Sequence, residues 1–244
     1  MTVSTPVSLH RVAAAERVDP GRSGVFWWLG LPLIAAIALI MIARGNPQFY
    51  RDWILPEAYG VLEVMHVVLP AIGFLIGLSI LQIATVKVWT LLWWAVVMFT
   101  VTCLFIAGEE CSWGQWIFYW ETPEYWGRLN RQNETNLHNT SYFLNHFLRN
   151  LLKIAVIVGG IVLPLLPMRL RGPFASVPIL RILVPPAAIV PAAVATVGFD
   201  ALAALSKDGG VYVFVPRPSE AVELFMYMFI LFYMIMLRRR AQAL

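Results

Sequence analysis

Six separate stretches of this chain consist almost wholly of hydrocarbon side chains, at about 24–44, 57–84, 87–107, 147–168, 178–204 and 219–237. Each has about the ~20 residues that a helix needs to cross ~30 Å of bilayer. In lipid a backbone must satisfy its own hydrogen bonds, so only helices and closed barrels span. Barrel strands alternate polar and apolar residues, and these runs do not. The fold class is therefore all-α: a polytopic helical membrane protein with about six transmembrane helices in one domain, 24–237. With 59% hydrophobic and 13% charged residues, a soluble class is excluded. The net charge of +4 comes largely from Lys and Arg at span ends, so membrane lipids rather than nucleic acid are the expected partners.

The arginines also orient the chain. Arg238, Arg239 and Arg240 follow the last span in a basic tail, 238–244, and Arg169, Arg171 and Arg181 border a short turn. Positive residues near span ends favour the cytoplasm, which places both termini there, including the N-terminal tail 1–23. Of the 14 acidic residues, only Glu16 and Asp19 then fall on the cytoplasmic side. Pro185, Pro186 and Pro191 predict a kinked or broken fifth span.

Ionisable groups inside hydrocarbon are functional candidates by default. Glu63 and His66, spaced i, i+3, face the same way in the second span. Glu109 and Glu110 end the third, where neighbours on a helix diverge by ~100°. Glu134 and His138 would share a face if their segment is helical. These six are the candidate acid–base groups. Five of them, Glu63, His66, Glu110, Glu134 and His138, also occur at spacings by which helices present metal ligands. A divalent metal ion is the expected cofactor, and the donors do not discriminate zinc, iron and manganese. Glu220 and Glu223 follow Pro218–Ser219, and the helix dipole accounts for negative charge there.

Between the third and fourth spans lies an outer cap, 108–146, opening with GEECSWGQWIFYWETPEYWGRLNRQNETNLHN. Its aromatics suit the headgroup level, and short interfacial helices are expected there. One would start at a capping Ser112 and align Trp113, Trp116 and Trp120; another would start at Thr122–Pro123–Glu124. Gln115, Asn130, Gln132, Asn133, Asn136, Asn139, Asn145, His146 and Asp200 are the expected supporting polar network. The bland reading of the amides is a cap that ties helix ends together. For Asp200 it is a pair with Lys207 or a cap on the broken helix.

The pattern GEE-x-SWGQ, ETPE and N-x-Q-N-E-x-N-LHN is carried by Gly108–Glu110, Ser112–Gln115, Glu121–Pro123, Asn130, Gln132–Glu134 and Asn136–Asn139. It resembles a family of uncharacterised bacterial multi-pass membrane proteins over little more than those residues. The resemblance implies a bacterial inner-membrane location and carries no activity. Three classes of function fit. The favoured one is a metal-dependent enzyme acting on a lipid or lipid-linked substrate at the outer leaflet, in which buried carboxylates exchange protons or a metal activates water. The others are a proton-coupled or ion/solute transporter gated by the broken fifth span, and an accessory subunit that docks a partner through the aromatic cap. No phosphate-binding glycine loop or nucleophile elbow is present in the sequence.

Overall fold

The computed structural model describes residues 9–16, 24, 26–130, 132–207 and 215–244. Six helices in it are long and apolar enough to cross a membrane: α1 (Phe26–Gly45), α2 (Val61–Leu81), α3 (Thr90–Glu110), α4 (His146–Leu165), α5 (Pro178–Leu205) and α6 (Pro218–Gln242). The all-α polytopic fold is thus as the hydropathy predicts. They run alternately between two ends of the bundle, called here the cap side and the tail side. Boundaries move by a few residues. The second span, expected from 57, starts as a helix only at Val61, because Pro56–Gly60 form a turn closed by a Gly60 N–H to Pro56 carbonyl bond of 2.9 Å.

The sequence of α6 has no polar face between Glu223 and Arg238, and a helix apolar all round belongs inside. It is buried over 78% of its spanning window, against 17–44% for the others. Around it the packing is an open arc. α3 lies along α2, α2 and α5 lie along α6, and α4 leans on α5. α3 and α4 are not packed against one another, so the arc has a gap backed by α6.

Two local solutions make this packing work. Gly73 and Gly77, one turn apart on α2, let α3 approach so closely that a Cβ on Gly77 would lie 2.9 Å from Cβ and Cγ2 of Thr100. Small residues four apart are how helices meet at short range in lipid. The fifth span breaks as expected, into Pro178–Leu183 and Val190–Lys207, because Pro185 and Pro186 have no N–H to continue the ladder. The carbonyls left over are taken up by α6. Arg240 donates to Ile182, at 2.8 Å, and to Val184, while the Tyr233 hydroxyl donates to Leu183 at 2.9 Å.

On the tail side both ends of the chain meet. A short helix, Leu9–Glu16, places Glu16 against Arg181, whose Nε is 2.5 Å from Oε1. Arg11 donates to the carbonyl of Leu244 at 3.0 Å. The remainder of the N-terminal tail lies outside the described residues.

A Gly77→Leu substitution is expected to cost about 1–3 kcal/mol through overpacking. Thermal unfolding in detergent followed by tryptophan fluorescence would show a lowered midpoint. Gly45→Ala, where nothing lies within 4 Å of the new Cβ, should leave it unchanged.

Candidate functional site

Of the two short helices expected in the cap, the one from Ser112 is replaced by turns. Ser112, Trp113 and Tyr119 have positive φ (49°, 55° and 55°), which bends the chain back after a single 3-10 turn, Ser112–Gly114, and one α turn, Gln115–Phe118. Non-glycine residues adopt that region only when their surroundings impose it. Here the surroundings are hydrogen bonds. Ser112 does not cap a helix; its hydroxyl donates to Glu134 Oε2 at 3.0 Å. The indole N–H groups of Trp113, Trp116 and Trp120 donate to Glu109 (2.6 Å), Glu134 (3.3 Å) and Thr135 (3.3 Å). The tryptophans are therefore wired inward as well as lying among exposed aromatics such as Phe118 and Tyr119.

The second expected helix runs Glu124–Leu129, with Pro123 at the capping position. Thr122 instead accepts from Gln115 at 2.7 Å and donates to the carbonyl of Asn133. The segment 132–137 is not helical, so Glu134 and His138 do not share a helix face; α4's helix begins at Tyr142, capped by the Ser141 hydroxyl. Asn130, buried, knits the loop. Its amide donates to Asn136, and its oxygen accepts the Gln132 and Glu134 N–H groups at 2.9 and 3.2 Å. Asn136 and Asn139 in turn donate to Glu134, at 2.6 and 3.5 Å. Asn139 also donates to Gln132, and Gln115 accepts the Thr135 N–H at 2.8 Å. Asn133 contributes its carbonyl and a left-handed turn at φ 57°.

The keystone is Glu109, 4% exposed. Its Oε2 accepts the Leu137 and His138 backbone N–H groups, both at 2.8 Å, and lies 3.2 Å from His138 Nδ1. An acceptor so fully used is an ionised carboxylate, which puts the shared proton on His138 Nδ1 and leaves Nε2 outside that contact. Beside this ring, Cys111 is a free thiol that burial pushes up in pKa, a poor nucleophile.

One residue on, Glu110 turns the other way, into the bundle. Its Oε2 is 3.8 Å from His66 Nδ1, and its Oε1 accepts from the Tyr227 hydroxyl at 2.7 Å. His66 is fully buried, and its Nε2 lies 3.0 Å from the carbonyl of Glu220. Two groups here could hold a metal ion, each with one ligand atom per residue within 4.8 Å of the others: Glu63–His66–Glu220 and His66–Glu110–Glu223. Among the described residues, neither group includes Glu134 or His138. The structure therefore splits the expected set: Glu63, His66 and Glu110 form an inner cluster, while Glu109, Glu134 and His138 belong to the cap above it.

Sequence reading gave Glu220 and Glu223 only a structural role and passed over Tyr227 and Arg149. The signal was the i, i+3, i+7 spacing of the first three on one face of α6. Arg149 donates to Glu223 at 3.3 Å and to His146 Nδ1 at 3.1 Å, which brings His146 to the edge of the cluster. Arg217 donates to Glu220 at 2.9 Å and pairs with Glu57 at 3.6 Å. Asp200 is elsewhere. It pairs with Lys153 across α4 and α5 at 2.9 and 3.0 Å; the expected pairing with Lys207 and the expected part of Asn145 fall on side chains outside the described residues.

Cluster and cap together line one end of a cavity of about 890 Å³. From there the cavity descends along the gap between α3 and α4, past Phe105, Val101, Leu151 and Gly159, to Leu183 and Tyr233. Val101 and Leu151 are more than half exposed, so this wall opens sideways. No family model, curated protein or solved structure matches this chain.

Glu109→Gln would present N–H groups to N–H groups and forfeit charge-assisted bonds worth roughly 1.5–3 kcal/mol each. Hydrogen exchange should then show lost protection at Leu137 and His138 while α2 and α6 keep theirs. Unchanged exchange at those two amides would remove Glu109 from the keystone role.

Proposed function

We propose that the protein is a membrane enzyme that takes a lipid or lipid-linked substrate from the outer leaflet of a bacterial inner membrane. The substrate would enter sideways between α3 and α4. The observation that carries this reading is the continuity of the cavity, which joins a carboxylate–imidazole cluster to an apolar trough open toward the bilayer. From Glu110 to Met98 the trough follows 12 residues of α3, or roughly 18 Å at ~1.5 Å per residue. An amphipathic molecule laid in it has its head among Glu63, Glu110, Glu220 and Glu223 and its chain against Phe99, Val101 and Leu151. Ligand sites of this kind, mostly apolar with a few convergent polar groups, are the usual architecture for small-molecule recognition.

Two sets of groups could act on the head. His138, held by Glu109 with Nδ1 protonated, has Nε2 for proton transfer, the arrangement of a base oriented by a carboxylate. The Glu/His donors of the inner cluster suit a divalent metal ion, which would activate water or polarise an ester or phosphate oxygen. The family resemblance of the cap motif and the arginine bias support the bacterial location and the cytoplasmic placing of both termini.

Transport fits less well. A carrier needs polar groups along its path, and below Tyr227 the hydroxyls on the wall are already used: Thr102 donates to the carbonyl of Met98 at 2.8 Å, and Tyr233 to that of Leu183.

The test uses full-length protein in nanodiscs of bacterial lipid extract, with bound and converted lipids identified by mass spectrometry. Bound lipid should survive purification and be displaced by Val101→Trp or Leu151→Trp, whose exposed positions leave the melting midpoint unaltered. His138→Ala should slow conversion by about 10²-fold or more. Bound lipid indifferent to both tryptophans, with no lipid species changed over time, would overturn the reading.

A further inference from the structure

The inner cluster has a feature that packing does not explain. His66 is 0% exposed, yet its Nδ1 has no hydrogen-bond partner among the described residues. A buried ring nitrogen without a partner is costly, because it has given up water and gained nothing in return. The other nitrogen shows which proton state is present. Nε2 faces a backbone carbonyl, that of Glu220, at 3.0 Å, and a carbonyl only accepts. Nε2 therefore carries the proton, and in the neutral ring Nδ1 is a bare lone pair. It is aimed at Glu110 Oε2, 3.8 Å away, which is also a lone-pair donor. Two lone pairs facing each other in a buried site call for something positive between them.

We infer that His66 Nδ1, Glu110 and Glu223 form the three-residue seat of a single divalent transition-metal ion. Ligands at ~2.1 Å in tetrahedral array stand about 3.4 Å apart, close to the observed 3.8 Å. One ligand atom from each residue already lies within 4.8 Å of the other two. The groups around them are those that orient metal ligands. The Glu220 carbonyl fixes the tautomer of His66, the Tyr227 hydroxyl holds Glu110 through its other oxygen, and Arg149 holds Glu223. The charges agree: Glu63, Glu110, Glu220 and Glu223 face Arg149 and Arg217, and Arg217 is shared with Glu57. The carboxylates outnumber the guanidiniums, and a dication reduces that excess.

The alternative group, Glu63–His66–Glu220, uses the same imidazole; the seat is assigned to the other group because the unpartnered Nδ1 is the nitrogen that lies 3.8 Å from Glu110 Oε2. Three protein ligands leave a fourth position for water or substrate, the pattern of a catalytic rather than a structural ion. Glu110 and Glu223 line the cavity, so the seat deepens the reading above, and only its catalytic use rests on it.

The experiment is manganese binding to chelator-stripped full-length protein in nanodiscs, read by the electron paramagnetic resonance of free Mn(II), with zinc as competitor. One ion should bind per chain. Glu110→Gln and Glu223→Gln should each weaken binding by tenfold or more, and Tyr227→Phe, which removes only a bond to a ligand, should do so by about tenfold. Glu134→Gln, in the cap, should bind as the unaltered chain does. Imidazole 15N resonances of His66 should shift at Nδ1 and not at Nε2, a readout that holds even where a variant folds poorly. Absence of saturable binding, or a Glu110→Gln variant that binds like Glu134→Gln, would overturn the seat. Lipid retained in a chain that binds no metal would overturn the seat alone and leave the lipid reading standing.

Discussion

The structure depends on one helix having no outside. α6 is apolar around its whole circumference over most of its length, and a helix of that kind gains nothing by lying against lipid on one side and neighbours on the other. Water drives none of this assembly, since lipid tails are as apolar as the side chains; what remains is close packing and the pairing of polar groups. α6 supplies both. Its apolar middle packs against α2 and α5, its tail-side arginine and tyrosine receive the stranded carbonyls of the broken fifth span, and its cap-side end delivers Glu220, Glu223 and Tyr227 to the cluster.

A second economy lies in the pair Glu109–Glu110. Adjacent carboxylates at the end of one helix point about 100° apart. The first is spent on structure, gathering backbone N–H groups, an indole and an imidazole into a roof. The second enters the floor of the cavity beside His66. Roof and floor are thus fixed to the same rigid element, one residue apart, so the height of the chamber between them is set by α3 rather than by the loop that crosses it.

What the sequence revealed and what it hid follow from the range of the physics involved. Length and apolarity are properties of a contiguous run, so the six spans were legible, as was the break at Pro185–Pro186, which is local. Glu63, His66 and Glu110 could be picked out because a charge in hydrocarbon is anomalous wherever its partner lies. Glu220 and Glu223 could not, since Pro218–Ser219 accounted for them locally and only the fold shows them facing His66. The first half of the cap was misread as a helix for a related reason. Ser112, Trp113 and Tyr119 are not residues that seek a left-handed backbone, and the turn they form is tied to distant residues: Ser112 bonds to Glu134 and Thr135, and Trp120 to Thr135. Asp200 found Lys153, 47 residues distant, where its neighbours suggested Lys207.

The unpacked seam between α3 and α4 sorts molecules by the phase in which they are dissolved. Anything approaching through the cap meets the amide lattice and three tethered indoles before it reaches Glu110 or Glu223. Anything already dissolved in the bilayer meets no barrier of that kind, because the seam is an extension of its own solvent. A chamber built this way would discriminate by partition coefficient before it discriminates by shape.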